Sequence, residues 1–404
     1  IFGRNHRISN MIIKKTCDIK YDVKIKHFIM LLSKPKNVNI PIFHVNGILS
    51  SPLFVKILDK QKYSRLLPMS YQSFIEKATY DKAMIWPPGE MKLREISCLL
   101  DTIARREKNG EITVKPPEGL KIETISIRKV SNFTEHDEEI FDLDLPYYLQ
   151  GYRNVYNVSY DWLHYFYNTS EVFERLKEKI ESEVKRTGQK AVIAGYSLGG
   201  HFVRYFLNDY SNEEWNMKFI AGAQFGASVI GGALSVIEGI VKGIFPLSKS
   251  QDLRFAKHMP SYVAMFPNFN VNEKIIKITN EDDREESFLD ASQLFSQLKK
   301  KGFVDETVDL IYQKGLNFFK EDIKDPKVKS NFILNSGSHA LTGFNVIIKD
   351  GKRKIKKVFG PGDGVVPSNG MQYVMKKWSN VTCHDFNTKD NNFSHLRMIN
   401  QPEF

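Results

Sequence analysis

Few short stretches constrain a fold as tightly as Gly195-Tyr196-Ser197-Leu198-Gly199. It follows the apolar run Ala191-Val192-Ile193-Ala194 and leads into residues 201–210, which carry a helical pattern. A backbone that leaves a strand and enters a helix within a few residues has no room for side chains beside the turn, and glycine supplies that room. The residue at the apex is thereby held out from the turn. The G-x-S-x-G pattern also arises by chance, but its position between a strand and a helix predicts a nucleophile elbow with Ser197 at its tip.

The surrounding sequence alternates in the same way. Residues 38–45 read as a mostly apolar strand closed by the Asn46-Gly47 turn, and residues 152–160 as another strand. Residues 171–187 place Val172, Leu176, Ile180 and Val184 on one helical face before Gly188 stops the pattern, and residues 219–223 supply a further strand. This alternation predicts an α/β fold with a mostly parallel central sheet and helices on both faces. A chain of 404 residues, 42% of them apolar, can bury one large core. One domain carrying insertions is therefore expected over residues 37–404, preceded by a basic, patternless and peripheral segment, 1–36. Residues 59–145, rich in aromatics, Met and Pro, read as an insertion, with a helix over 91–104.

A serine hydroxyl is a poor nucleophile at neutral pH, so it needs a base to take its proton and a carboxylate to orient that base. In elbow-bearing folds the chain order is serine, acid, histidine. Asp363 stands in the glycine-rich run Gly360-Pro361-Gly362-Asp363-Gly364 directly after a strand-like stretch, where parallel sheets build their sites. Only His384 and His395 follow it. His384 lies in a strand-like run, whereas His395 comes after a polar loop, so His395 is the expected base. Two backbone amides must hold the developing oxyanion: one belongs to Leu198, and the other is expected from the Gly47-Ile48-Leu49 turn, with Ile48 as the candidate.

Fifty-eight basic residues against 47 acidic ones give a formal net charge of +11, part of it in the run from Lys349 to Lys357. That balance suits a solvated surface and equally attraction to anionic lipid headgroups. The basic residues are scattered and no nucleic-acid-binding signature is present, so no nucleic-acid partner is expected. No metal or organic cofactor is implied, because Cys383, His384 and His395 fit no zinc spacing. Cys17, Cys98 and Cys383 allow at most one disulfide. No apolar run reaches about 18 residues, so a spanning helix is not predicted. The sequons at Asn132, Asn157, Asn168, Asn380 and Asn392 lean toward a secretory route, in a lysosome- or vacuole-like compartment or outside the cell.

Taken together, the Val45-Asn46-Gly47 turn, Tyr160-Asp161-Trp162, GYSLGG from Gly195, Gly222-Ala223-Gln224-Phe225-Gly226, Pro260-Ser261, Phe266-Pro267, the GDG at Gly362 and Ser394-His395 resemble the lecithin:cholesterol acyltransferase family. The family also holds lysosomal phospholipase A and phospholipid:diacylglycerol acyltransferase. The resemblance implies an α/β-hydrolase core with a membrane-binding insertion, here 59–145, in which Trp86 would be the bilayer-facing or packing aromatic. It further implies a lid over the acyl pocket, here 227–253, followed by a cap-like region, 254–340. The expected partners are a phospholipid membrane surface and a lipid alcohol acceptor. The sequence departs from the family pattern at Cys98, since no cysteine lies between Asn39 and Ser97 to pair with it, and at Ile48, where relatives often carry a second glycine. The same residues also suit a neutral-lipid or small-ester lipase, or a pseudo-hydrolase that only binds membranes.

Overall fold

The computed structural model describes residues 39–86, 91–124, 127–130, 154–167, 169–244, 253–268, 270–272, 274–320 and 323–401. The expected peripheral segment 1–36 and Pro87-Pro88 of the insertion lie outside them.

The first strand, β1 (Ile42–Val45), is shorter than residues 38–45 because Pro41 has no N–H to give the ladder; its carbonyl still accepts from Val192. The chain then enters the insertion, where β2 (Leu53–Ile57), β3 (Ala83–Trp86) and β6 (Leu120–Thr124) form an antiparallel sheet with β2 in the centre. The pair β4 (Ile103–Arg106) and β5 (Ile112–Lys115) forms a separate hairpin that packs against helix Glu306–Lys320. The expected helix over 91–104 shrinks to Ser97–Leu100. Its apolar side, Ile96, Leu99 and Leu100, is buried, but Asp101 is drawn out of helical geometry and hydrogen-bonds His258, far along the chain.

After β7 (Arg128–Lys129) and β8 (Val155–Val158) the chain follows the alternation read from the sequence. Helix Ser170–Thr187 buries Val172, Leu176 and Ile180 and ends where Gly188 takes φ 68°, its amide capping Val184. Then come β9 (Ala191–Tyr196), helix Leu198–Tyr205, helix Glu213–Phe219 and β10 (Ile220–Gly226). The helix expected to run to Tyr210 widens into a π turn at Phe206–Tyr210, where the Ser211 amide and hydroxyl both take the Phe206 carbonyl.

Beyond residue 253, β11 (Ile276–Asn280) and β12 (Glu285–Leu289) join the long hairpin β14 (Ser338–Lys349) and β15 (Lys352–Gly362) in a second sheet, ordered β12-β11-β14-β15. Between them β13 (Ser330–Leu334) returns to the central sheet, so the cap-like region expected over 254–340 gives up this strand to the core. Adding β16 (Val381–Asp385), the central sheet runs β16-β13-β10-β9-β1-β8-β7 among the described residues, every pair parallel except β7 with β8. β1, β8 and β9 are largely buried because both faces are covered by other elements, and they are mostly apolar apart from the buried His44 and Asn157. Among the described residues no helix is long and apolar enough to cross a membrane.

Candidate active site

Ser197 stands at the C-terminal end of β9 with φ 55° and ψ −120°, a left-handed conformation that a side-chain-bearing residue holds only at a cost of about 1–3 kcal/mol. Its neighbours enforce that geometry. A Cβ on Gly199 would lie 2.1 Å from the Val45 carbonyl oxygen, and one on Gly195 2.4 Å from that of Gly199. The elbow is also pinned to the next strand, since the Ser197 amide donates to the Gly226 carbonyl at 2.9 Å.

Asp363 directly follows the last residue of β15. Its Oδ1 accepts the amides of Val365 at 3.1 Å and Val366 at 2.8 Å, which fixes the carboxyl plane and leaves Oδ2 pointing at His395 Nδ1, 2.8 Å away. In the tautomer that donates from Nδ1 to this oxygen, Nε2 presents a lone pair. That lone pair faces Ser197 Oγ at 2.9 Å. The main chain ties the same two loops together, with the His395 amide donating to the Asp363 carbonyl at 2.8 Å. Ser197, Asp363 and His395 are all buried. His384, by contrast, lies exposed on β16 opposite Ile333, with its ring edge-on to Phe386.

The turn after β1 lies against the serine: a Cβ on Gly47 would come 3.2 Å from Ser197 Cβ and 3.7 Å from its Oγ. Within this turn Leu49 adopts φ 72° and Ile48 is half-buried, while Leu198 opens the helix behind the serine. A shell of aromatics holds the turn. The Tyr160 hydroxyl donates to the Asn46 carbonyl at 3.2 Å, the Trp162 indole to that of Ser51 at 2.9 Å, and the Trp86 indole to that of Leu49 at 2.5 Å.

Trp86 is therefore not a bilayer-facing residue. It is 3% exposed and packs edge-to-face on Trp162, with its N–H satisfied inside the fold by the Leu49 carbonyl. Tyr160 and Trp162 were legible as part of a motif, but neither their role behind the turn nor that of Tyr196 was. The Tyr196 hydroxyl reaches the His395 carbonyl and the two rings stack. The described part of residues 227–253, the expected lid, is also packed down. Helix Val236–Lys242 buries Val236, Ile237 and Ile240, and at Gly239 it lies so close to the Tyr262 ring that a Cβ would clash. Cys98 and Cys383 are free thiols, and among the described residues no group of three or more His, Cys, Asp or Glu could hold a metal ion.

Residues 82–330, more than half of the chain, match the sequence pattern of the lecithin:cholesterol acyltransferase family. The chain belongs to that family. Membership places it among the enzymes that hydrolyse or transfer lipid acyl groups. The matched span includes Ser197, whereas the turn after β1, Asp363 and His395 lie outside it. No curated protein sequence matches the chain. Among solved structures, a chain of the Tle4–Tli4 complex is 11% identical and covers 90% of this chain and 96% of its own, with a TM-score of 0.53. That likeness shows a shared fold, the α/β-hydrolase fold. The Bacillus licheniformis lipase BlEst2 (10% identity, 67% and 82% coverage, TM-score 0.29) and the rice cell wall degrading esterase LipA from Xanthomonas oryzae (13%, 72% and 84%, TM-score 0.31) superpose more loosely.

Proposed function

We propose that this chain cleaves phospholipid acyl esters through an acyl-serine at Ser197 and passes the acyl group to water or to a lipid alcohol. The observation that carries this reading is the continuous hydrogen-bonded path from Ser197 Oγ to His395 Nε2 at 2.9 Å and from His395 Nδ1 to Asp363 Oδ2 at 2.8 Å. Ser197 Oγ attacks the ester carbonyl carbon as its proton passes to His395 Nε2, and Asp363 holds the imidazolium that forms. The amides of Leu198 and Ile48 hold the oxyanion. Collapse of the tetrahedral intermediate breaks the bond to the glycerol oxygen, which leaves as an alcohol with the proton from His395. Water or a lipid hydroxyl then attacks the acyl-serine, giving up its proton to His395, and Ser197 is regenerated. The apolar lid favours an acyl chain, and a dry pocket favours an alcohol over water as acceptor. A secretory compartment is proposed as the setting; the sequons at Asn380 and Asn392 lie on the surface, where a glycan has room, whereas Asn157 is buried in β8.

The test follows labelled acyl chains from phosphatidylcholine vesicles by chromatography, with and without a lipophilic alcohol. Free fatty acid should appear, and its yield should fall as ester forms when the alcohol is present. An ester yield no higher than that of Ser197→Ala makes the enzyme a hydrolase only. Turnover of emulsified triacylglycerol in strong preference to phospholipid vesicles favours a neutral-lipid lipase instead.

A further inference from the structure

The run from Lys349 to Lys357, prominent in the sequence, plays no part in the site described above. In the fold it forms the turn and outer strand of the hairpin. β15 pairs with β14 on one side; near its end Gly362 bridges Pro367 and the Pro361 carbonyl accepts from Ser368, but from Lys352 to Gly360 no strand among the described residues pairs with its other side. Alternate side chains stand on opposite faces of such a strand. Lys352, Lys354 and Lys356 share one face with Lys349 of β14 across the ladder; Ile355, Lys357 and Phe359 share the other.

The ion pairing divides these charges. Lys349 is paired with Glu281, and Lys357 with Glu238 of the lid helix. Among the described residues Lys352, Lys354 and Lys356 form no ion pair, and all three are exposed. Lysines on an edge strand also prevent sheets from joining edge to edge, and that duty alone would account for them. It does not account for Ile355 at 66% and Phe359 at 56% exposure on the same strand. Ile355 and Phe359 stand on the face opposite the free lysines. A surface that meets the edge of the strand is thus flanked by charge on one side and apolar side chains on the other, which suits a partner that is negatively charged outside and apolar beneath, an anionic bilayer. The apolar trail continues to the catalytic loops: Val365, two residues after Asp363, and Leu396, next to His395, are 38% and 77% exposed.

We propose that the outer edge of β15 is the surface on which this chain docks to an anionic phospholipid bilayer, with Lys352, Lys354 and Lys356 meeting headgroups and Ile355 and Phe359 entering the interface. The docking rests on the reading that the chain acts on membrane phospholipid. It places the loops of Asp363 and His395 toward the lipid.

Flotation of the full chain, carrying Ser197→Ala so that vesicles stay intact, tests it on phosphatidylcholine vesicles with and without phosphatidylserine. Each lysine near an anionic surface contributes roughly fivefold in affinity, so Lys352→Glu, Lys354→Glu and Lys356→Glu together should cost about a hundredfold or more on phosphatidylserine vesicles. The same charge change at three exposed lysines elsewhere, Lys185, Lys300 and Lys376, should cost far less. Ile355→Ser with Phe359→Ser should weaken binding even at high salt, where the charge attraction is screened. Equal losses in the two lysine triples, wild-type flotation of the β15 triple, or a β15 triple that changes only self-association would each overturn the proposal. Turnover of a soluble short-chain ester, measured with Ser197 intact, separates the two claims. If the β15 variants keep that turnover but still float, docking fails and the chemistry stands; if Ser197→Ala keeps it, the acyl-serine reading fails whatever the vesicles show.

Discussion

The phenol of Tyr196 donates a hydrogen bond to the main-chain carbonyl of His395, 199 residues further along the chain. The residue inside the elbow thus grips the loop that carries the base, and Ile333, Met398 and Ile399 pack around the contact as a small separate core. Tyr196→Phe keeps the ring and removes the donor. One neutral hydrogen bond contributes about 1 kcal/mol, so kcat on a soluble ester should fall several-fold while KM stays unchanged. An unaltered kcat would show that the remaining contacts position His395 without the phenol.

The geometry at Ser197 makes a sharper prediction about which histidine acts. Ser197→Ala, His395→Ala and Asp363→Ala should each lower turnover by several powers of ten, and the double variants should lose little more, because the three act as a unit. His384→Ala, altering an exposed residue of β16, should keep most activity. Steady-state kinetics on folded variants, with circular dichroism as the check on folding, decides between them.

Replacing Trp86 should weaken the fold rather than vesicle binding. Trp86→Ala empties a buried ring site and should cost about 3–5 kcal/mol, read from denaturant unfolding. Trp86→Phe fills much of that space but drops the bond to the Leu49 carbonyl, so its signature should be a lower kcat from a loosened turn, with vesicle binding per folded molecule unchanged. Loss of vesicle binding by stably folded Trp86→Phe would return this residue to the membrane.

His258 joins Asp101 and Asp305, more than 200 residues apart in the chain, with Nδ1 2.8 Å from Asp101 Oδ1 and Nε2 2.7 Å from Asp305 Oδ2. Burial by itself pushes the imidazole toward neutrality, but the hydrogen bonds to Asp101 and Asp305 outweigh it and raise the pKa from 6.5 to about 9. A pKa raised on folding stabilises the protein fully below the unfolded value and loses that contribution as pH rises through the folded one. The pair of bridges should thus contribute on the order of 3 kcal/mol below pH 6.5 and fade toward pH 9. Thermal melts across that window should show wild type and His258→Gln converging as pH rises; a constant gap would mean that the charge on His258 is not what stabilises the junction.

The sequence by itself determined the elbow and its neighbours. Strand, turn and helix around Ser197 follow from residues within a few positions of one another, and the glycines at 195 and 199 are required by backbone contacts that any such turn makes. The stripe of Val172, Leu176 and Ile180 was likewise enough to define helix Ser170–Thr187, because a helix repeats its buried face locally. The order of serine, acid and histidine selected Asp363 and His395, since chain order is itself a property of the fold.

Only the tertiary structure decided what depends on distant partners. Trp86 reads equally well as a lipid anchor or a core ring until Trp162 and the Leu49 carbonyl are seen to enclose it. Residues 91–104 carry a helical pattern, yet the pull of His258 on Asp101 ends the helix at Leu100. Ser330–Leu334 has no local mark that separates it from the cap-like region; it joins the core because β10 and β16 leave a place between them. Patterns within a turn or two of backbone fix dihedral angles, whereas burial and hydrogen-bond partnership are set by whatever the rest of the chain brings alongside, and no window of sequence contains that.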